Sequence, residues 1–461
     1  MAANPSAGRG APLPGRRSQP ATPRRPNRSF GRRYSLAVNQ ASHAQPIPSP
    51  VSIDGRPAPP AGLYVHLPFC VARCPYCDFV VYAGSHARGP KARTERLYEA
   101  VGRELELRAD DLDELFGSGR PELATLYFGG GTPSLVPTEW LGRLIDTVRR
   151  RYGLASDAEV TLEANPGPDE RGDLSGFAAA GVNRVSFGAQ SLEAAELRRL
   201  GRRHSPADVM AAVDAARAAG IDSVNLDLLY DVPGQMLAGW EATLRGALEL
   251  GPDHLSLYAL TLDDPDAEGL TGDAGDHLPT APGARRWREA TRLDQDDDRA
   301  ADEYRLASDL LATAGWRGYE ISNWARPGHE SRHNLTYWER RPYEAVGPGA
   351  HAFDGAVRRW NSAGLEPYVA ALLPSEGPGQ VPPGDSEIIS PETAAAERLI
   401  LALRLDRGVP VSWSEEPPVS DAFAWGRSSG LLEPAESDDE DRLRLTLRGR
   451  LLSNELFERL L

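Results

Sequence analysis

Short apolar runs rich in β-forming residues alternate with amphipathic helical patterns from residue 61 to about residue 265, and irregular structure is predicted after that. The β-rich runs occur at Leu63–Leu67, Ala124–Phe128, Glu159–Glu163, Arg184–Phe187, Ser223–Tyr230 and His254–Leu260. Helical patterns fill the intervals, and glycines mark several helix ends. A strand–helix unit repeated six times predicts parallel strands joined by right-handed crossovers. Because a closed eightfold barrel needs two more units, we predict an α/β fold with a partial (β/α)6 barrel, whose chemistry lies at the carboxyl ends of the strands.

The two ends of the chain differ from this alternating core, which we place at residues 61–373. Residues 1–60 are rich in proline and arginine and poor in bulky apolar residues, so we predict a disordered basic tail. An organelle transit peptide is the alternative, although the prolines would break its amphipathic helix. Residues 374–390 are predicted as a linker rich in Pro, Gly and Ser. Residues 391–461 are predicted as a small, mainly helical, winged-helix-like domain.

Charge and composition exclude several classes of function. The net charge of the 461 residues is −15, and because the tail is basic, the body of the protein is more acidic still. An acidic body lacks the basic surface that nucleic-acid binding requires. The sequence has no apolar run long enough to span a membrane. Three cysteines are too few for a disulfide framework, and the N-terminal residues lack a secretory apolar segment, so we expect a reducing, cytoplasmic environment.

All three cysteines fall in one predicted loop directly after the first strand. Cys70, Cys74 and Cys77 have the spacing C-x3-C-x2-C. Three thiolates on a short loop can hold an iron–sulfur cluster, because thiolate is the soft ligand that such clusters favour. Zinc is an alternative, but structural zinc needs four ligands, so His66 or His86 would have to complete the site. Three buried structural thiols are the remaining alternative, and the regular spacing argues against it.

The cysteine spacing resembles the signature of the radical S-adenosylmethionine (SAM) superfamily. The segment FGGGTP at 128–133, after the second strand, is similar to the glycine motif of that superfamily. The resemblance implies that the three cysteines bind a [4Fe–4S] cluster whose fourth iron is chelated by SAM. It also implies that Gly130, Gly131 and Thr132 contact SAM. Reductive cleavage of SAM to a 5′-deoxyadenosyl radical is the chemistry that this resemblance implies.

Further motifs are similar to a narrower branch, that of the oxygen-independent coproporphyrinogen III oxidases and their relatives. These motifs are LEANP, SFGAQS, RLGRRH and NLDLLYDVPGQ. The resemblance implies that the SAM site also includes Tyr64, Tyr76, Glu163, Gln190, Arg202 and Asp227. From the residues themselves, Glu163 ends a strand where its carboxylate could accept hydrogen bonds from ribose hydroxyls. Asp227 is a charge within an apolar strand, which is costly to bury unpaired, and a structural ion pair is its alternative role.

This branch contains decarboxylating oxidases and haem chaperones of the HemW type, and two features favour the chaperones. The oxidases have a further cysteine as C-x-C after the cluster motif, whereas Asp78 and Phe79 follow the third cysteine here. The segment HNLTYW at 333–338 resembles the haem-binding H-N-x-x-Y-W signature of the chaperones.

The resemblance implies that the haem-binding residues of this motif are His333, Asn334, Tyr337 and Trp338. An imidazole can bind haem iron, and aromatic rings offer flat apolar area to a porphyrin. The alternative is that His333 is a hydrogen-bonded histidine and that the aromatic side chains belong to the core. His351 is a second candidate for the axial ligand.

The sequence therefore predicts a haem chaperone that binds a [4Fe–4S] cluster, SAM and haem. It would deliver haem to a recipient haemoprotein, such as a respiratory membrane enzyme, and would need an electron donor. We expect a cytoplasmic protein, with peripheral contact to the membrane as a further option. One alternative is an oxygen-independent coproporphyrinogen III oxidase, which would use the same radical to decarboxylate two propionates. A second is a zinc-stabilised binding protein without radical chemistry.

Overall fold

The computed structural model describes residues 57–84, 91–262, 265–272, 275–415, 419–435 and 441–461. Its strands are β1 (Gly62–Leu67), β2 (Phe69–Cys70), β3 (Tyr82–Ala83), β4 (Leu123–Gly130), β5 (Leu154–Ala164), β6 (Arg184–Gln190), β7 (Ser223–Tyr230), β8 (His254–Ala259), β9 (Arg317–Gly318), β10 (Asn323–Ala325), β11 (Tyr343–Val346), β12 (His351–Phe353), β13 (Val357–Asn361), β14 (Gly384–Ile388), β15 (Val409–Pro410), β16 (Leu432–Ala435) and β17 (Arg442–Leu445).

The α-helices are α1 (Lys91–Phe116), α2 (Thr138–Arg151), α3 (Leu174–Ala180), α4 (Ala194–Arg199), α5 (Pro206–Ala218), α6 (Leu237–Glu249), α7 (Pro282–Arg292), α8 (Asp297–Thr313), α9 (Arg332–Trp338), α10 (Leu365–Leu372), α11 (Pro391–Arg404), α12 (Val419–Ser428), α13 (Leu447–Leu451) and α14 (Ser453–Phe457). Short 3-10 helices lie at Pro133–Leu135 and Val411–Ser414.

One twelve-stranded sheet, in the order β14-β13-β12-β11-β1-β4-β5-β6-β7-β8-β10-β9, forms the centre of the molecule. Neighbouring strands from β11 to β8 are parallel. Six of these parallel strands are the ones predicted from the sequence, so the α/β fold with a partial barrel is confirmed. Antiparallel strands extend both edges, with β12, β13 and β14 beyond β11 and with β10 and β9 beyond β8.

The helices that cover this sheet follow local signals in the sequence. Helix α2 buries Leu141, Leu144, Ile145 and Val148, a spacing that places the four side chains on one helical face. Helix α5 begins at a capping box in which the Ser205 and Asp208 side chains bond each other's backbone N–H groups, with proline in the first turn. These helices pack on the sheet and hold the carboxyl ends of the parallel strands at one edge.

The part of the chain after residue 265 is more regular than the sequence predicts. It supplies the seventh parallel strand, β11, and both antiparallel edges of the sheet. Strands of two to five residues carry too short an alternation of apolar and polar positions to be recognised in a sequence. The predicted linker, 374–390, contains β14, which pairs with β13 along its whole length, so this part of the linker prediction is wrong. The other domain boundaries stay predictions.

The predicted tail lies outside the described residues except for its last four. Residues 57–60 lie beside the turn between β12 and β13, where the Ala58 amide donates to the Asp354 carbonyl oxygen at 3.4 Å. At the other end of the chain, α11 to α14 and the three-stranded sheet β15-β17-β16 surround a separate apolar core. The winged-helix-like character of residues 391–461 stays a prediction. Arg340, just after α9, pairs with Glu397 of α11 at 3.0 Å and joins this unit to the sheet.

Candidate functional site

A cavity of about 330 Å³ opens at the carboxyl ends of the parallel strands, and we name it the cluster cavity. Its walls carry most of the side chains that the sequence predicted for the cluster and for SAM: Cys70, Cys74, Tyr76, Cys77, Gly130, Gly131, Glu163, Gln190, Arg202 and Asp227. Thr132 lies just behind this wall, where its hydroxyl donates to the Cys70 sulfur at 3.4 Å. The fold therefore brings together residues that are more than 150 positions apart in the sequence.

The three cysteines lie at the end of β2 and in the loop that follows it, and all three line the cluster cavity. Arg202 donates to the Cys74 sulfur at 3.4 Å and to the Gly188 carbonyl at 2.8 Å, so a half-buried cation faces the Cys74 thiol. Burial raises the pKa of the Cys70 thiol to about 11 and also raises the pKa of Cys77. Both thiols are therefore protonated at neutral pH in the absence of a metal, and cluster binding must release their protons.

The donor set of this loop fits an iron–sulfur cluster better than a single zinc ion. Within the described part of the chain, no three His, Cys, Asp or Glu side chains converge on a point that could hold one metal ion. Both ring nitrogens of His66, the candidate fourth zinc ligand, are engaged, by the Tyr64 hydroxyl at 3.0 Å and by the Val80 carbonyl at 2.9 Å. His86, the other candidate, lies outside the described residues. Three thiols spread over one loop match a larger cluster that takes one ligand on each of three irons.

The glycine segment passes so close to the cysteine loop that it has no room for side chains. A Cβ on Gly131 would lie 2.6 Å from the Phe69 carbonyl oxygen, a backbone atom that cannot move aside easily. Gly130 has a φ of +114°, a conformation that glycine adopts without strain. Its amide donates to Glu163 Oε2 at 3.0 Å, which ties the segment to the end of β5.

The carboxyl groups of Glu163 and Asp227 are held by neutral donors. Tyr127 donates its hydroxyl to Glu163 Oε1 at 2.8 Å. Burial raises the pKa of Glu163 to about 7 and also raises that of Asp227. Asp227 accepts hydrogen bonds from Ser186 at 3.0 Å and from Asn225 at 2.8 Å, and no ion pair of Asp227 forms among the described residues. Both carboxyl groups keep free lone pairs at the cavity wall, where a bound ligand could donate to them.

Several residues of the cluster cavity were not predicted. Asn165 donates to the Thr132 hydroxyl at 3.1 Å and accepts a hydrogen bond from Arg202, so it joins the glycine segment to the cation beside Cys74. It stands two positions after Glu163 in LEANP, at the end of the strand, and this position was the available signal. Tyr127 of β4 supports Glu163 of β5 because the two strands are paired, whereas Asn225 supports Asp227 from two positions earlier on the same strand, β7.

His333 is buried inside the protein, with 1% of its surface exposed. One ring nitrogen is hydrogen-bonded to the Thr125 hydroxyl at 2.8 Å and the other to the Tyr337 hydroxyl at 2.8 Å. The ring also stacks on Tyr127, with centroids 5.0 Å apart. Burial lowers the pKa of His333 to about 3, so the ring is neutral. In this conformation neither nitrogen is open to a metal, and the geometry is that of the hydrogen-bonded histidine considered as the alternative.

A second cavity of about 520 Å³, which we name the histidine cavity, adjoins the first. Its walls include the histidines His66, His277 and His351, the aromatic residues Tyr64, Phe79, Tyr337, Trp338, Tyr343 and Phe353, and the cations Arg340 and Arg358. Phe79 lines both cavities, and 57% of its surface is exposed. The four residues predicted for haem are therefore divided: Tyr337 and Trp338 line the histidine cavity, whereas Asn334 lines the cluster cavity.

Comparison with known proteins first gives the class of this chain. The sequence model of the radical SAM superfamily matches residues 64–246. The structure is similar to that of the coproporphyrinogen III oxidase HemN from Escherichia coli, a radical SAM enzyme, with a TM-score of 0.70. That similarity covers 88% of this chain and 91% of the other at 22% sequence identity, so it concerns the fold.

Curated relatives then identify the family. The heme chaperone HemW of Mycobacterium tuberculosis is 37% identical over 418 residues, which cover 90% of this chain and 98% of the relative. The heme chaperone HemW of Escherichia coli is 39% identical over 293 residues, which cover 64% of this chain and 70% of that protein. The chain belongs to the HemW family of radical SAM proteins.

Proposed function

We propose that this protein is a haem chaperone that holds a [4Fe–4S] cluster, SAM and haem and delivers the haem to recipient haemoproteins. The observation that carries the proposal is the histidine cavity, in which aromatic side chains, histidines and arginines adjoin the cluster cavity. A porphyrin is a flat apolar ligand with a central metal and two anionic propionates, and this lining offers a partner to each part. Family membership over nearly the full length of the M. tuberculosis relative supports the same assignment.

The cluster cavity has a role for each predicted group. Cys70, Cys74 and Cys77 would hold the cluster, and Arg202 would offset part of its negative charge beside Cys74. The glycine segment would accept the methionine part of SAM because its backbone lies open to the cavity. When bound, the cluster supplies the electron that cleaves SAM in radical SAM chemistry. Glu163 and Asp227 would accept hydrogen bonds from hydroxyl groups of SAM, and Gln190, at a strained φ of +65°, would be held beside them.

Coproporphyrinogen III oxidase activity is the second candidate function, because the cluster cavity holds the residues expected for SAM and the fold resembles that of the E. coli oxidase. The position that carries a fourth cysteine in the oxidases is Phe79 here. This side chain stands at the boundary of the two cavities, so the substitution changes the wall next to the cluster. We therefore favour the chaperone over the oxidase.

The cellular setting is part of the proposal. No helix among the described residues is both long and apolar enough to cross a membrane. We place the protein in the cytoplasm, with peripheral contact to a membrane when the recipient is a respiratory membrane enzyme. An electron donor would reduce the cluster.

Two assays on the full-length protein, reconstituted without oxygen, test the proposed function. We expect about four irons per chain with sulfur-to-iron charge-transfer absorption, saturable binding of haem, and transfer of haem to an apo-haemoprotein. Added coproporphyrinogen, SAM and reductant should leave coproporphyrinogen unchanged. Bound zinc in place of iron, lack of haem binding, or steady formation of protoporphyrinogen would contradict the proposal.

A further inference from the structure

We propose that His351, oriented by Asp276, is the protein ligand to the haem iron, and that His333 is a positioning residue. This inference rests on the proposed haem-binding function and concerns which histidine meets the metal. His351 begins β12 on the wall of the histidine cavity, 18 positions after the H-N-x-x-Y-W histidine. Its side chain is 36% exposed, so the ring can be reached from the cavity.

The hydrogen bonds of His351 leave room for a metal. Its Nε2 donates to Asp276 Oδ2 at 2.7 Å, and among the described residues no hydrogen bond is formed by its Nδ1. Asp276 also accepts from His277 Nδ1 at 2.8 Å. A carboxylate bound to one nitrogen of a histidine fixes the ring and makes the other nitrogen a better metal ligand.

Both His333 and His66 are less suited to this role than His351. His333 lies behind the cavity wall with both nitrogens hydrogen-bonded. His66 lines the cavity but is 5% exposed, and both of its nitrogens are also engaged. Binding iron through either residue would break a buried hydrogen bond and leave its partner unsatisfied, a cost that His351 does not carry.

The surroundings of His351 match the rest of a haem. The Trp360 ring stacks on the His351 ring with centroids 5.7 Å apart, so it restrains the orientation of the imidazole. Arg340 and Arg358 both line the cavity, and both pair with Glu397, at 3.0 Å and 2.7 Å. The Arg340 side chain is 4% exposed, and its buried Nη2 has no hydrogen-bond partner in the described structure. An unsatisfied cationic donor in a cavity wall fits a carboxylate, which the propionates of haem would supply.

His333 then acts through its neighbours. Its ring is stacked on Tyr127, whose hydroxyl donates to Glu163 in the cluster cavity. The Nε2 atom of His333 is hydrogen-bonded to the hydroxyl of Tyr337, which lines the histidine cavity. The buried ring therefore fixes one wall of each cavity, a role that needs no contact with iron.

Ligand substitution on the full-length, cluster-loaded protein tests this assignment, with ferric haem as the probe. For His351→Ala we expect the affinity for haem to fall at least about tenfold. Mutation of a residue that hydrogen-bonds a metal ligand typically lowers affinity 10–100-fold, and loss of the ligand itself should lower it no less. The iron–histidine stretching band of the ferrous protein should disappear in resonance Raman spectra, and added imidazole should restore it. Asp276→Asn should keep the band but shift it to lower frequency.

Control variants separate this role from folding and from the proposed function. His351→Met should keep haem bound with an altered visible and EPR spectrum, so the test stands even if the alanine variant folds poorly. His333→Gln should keep the wild-type iron–histidine band, and His329→Ala, a histidine bonded to Ser223 away from both cavities, should leave affinity and spectrum unchanged. Wild-type spectra in both His351 variants, or loss of the band in His333→Gln, would overturn the assignment. Wild-type protein that fails to bind haem would instead overturn the proposed function.

Discussion

The two adjoining cavities are assembled in different ways. The cluster cavity takes its side chains from successive loops at the carboxyl ends of parallel strands, and each loop carries a recognisable segment of sequence. The histidine cavity takes its side chains from the parallel strands β1 and β11, from α9, from the antiparallel strands beyond β11, from α11 and from the loops at Phe79 and Asp276. Chemistry concentrated in short loops is visible in the sequence, whereas a cavity built from distant, short elements becomes visible only when the chain is folded.

The largest expected effect is loss of the cluster from the cluster cavity while haem binding in the histidine cavity is kept. Cys74→Ser replaces a cluster ligand that also accepts a hydrogen bond from Arg202. Because a three-ligand cluster has no spare thiolate in this chain, we expect iron content to fall from about four per chain to near zero after anaerobic reconstitution. Haem affinity, measured by titration of the same samples, should stay within about twofold of wild type, since the histidine cavity contains no cysteine. Equal loss of iron and haem would show that the two cavities are not separate sites.

A smaller effect is expected when a side chain is added to the glycine segment. The Cβ in Gly131→Ala would lie 2.6 Å from the Phe69 carbonyl oxygen, so either the cysteine loop or the segment must shift. We expect a loss of about 1–3 kcal/mol in the free energy of unfolding, typical of overpacking, together with weaker SAM binding. Chemical denaturation and equilibrium dialysis measure the two quantities.

Gly119→Ala is the matched control for that variant. A Cβ at Gly119 meets no atom within 4 Å, and its φ is not in the left-handed region. We expect no loss of stability and unchanged SAM binding. If the two glycine variants have the same stability and the same SAM affinity, the close approach of the glycine segment to the cysteine loop affects neither property.

A further expected effect is a dependence of stability on pH. Burial raises the pKa of Glu163 from 4.5 to about 7 in the folded protein. The proton is therefore bound more tightly in the folded state, and its stabilising contribution is complete below about pH 4.5 and is lost as the pH rises to about 7. Glutamine has no proton to lose, so the Glu163→Gln variant should lack this loss of stability. Its free energy of unfolding relative to wild type should therefore rise between about pH 4.5 and pH 7 by at most about 1.4 kcal/mol per pH unit. Urea denaturation of the metal-free proteins at several pH values tests this, and parallel curves would contradict the raised pKa.

The part of the site that sequence predicts best is the part fixed by spacing. The C-x3-C-x2-C loop and the FGGGTP segment could be placed after the first and second strands, and the structure brings them into contact. Tyr127 was missed because its role depends on the pairing of β4 with β5, whereas the position of Asn165 at the strand end in LEANP was an unused signal. The haem-binding role of His333 stays a prediction. A motif identifies a residue type but does not show whether the ring nitrogens are free, and both nitrogens of His333 are hydrogen-bonded.

The strands near the two edges of the sheet were also not predicted from the sequence. The six strand–helix units were predicted because each is long enough to carry a period. Strands β9 to β14 have two to five residues each and gain their stability from pairing with the sheet, so the sequence alone predicted irregular structure there. His351, the proposed ligand to iron, lies in one of these short strands.

The central claim is that one chain holds a cluster and a haem at the same time, in separate adjoining cavities. The most direct measurement is an anaerobic titration of the cluster-loaded, full-length protein with haem, with iron, sulfide and haem counted per chain at saturation. We expect one haem bound for each chain while the cluster's iron and sulfide stay unchanged. Loss of the cluster in proportion to the haem taken up, or haem binding without saturation, would contradict it.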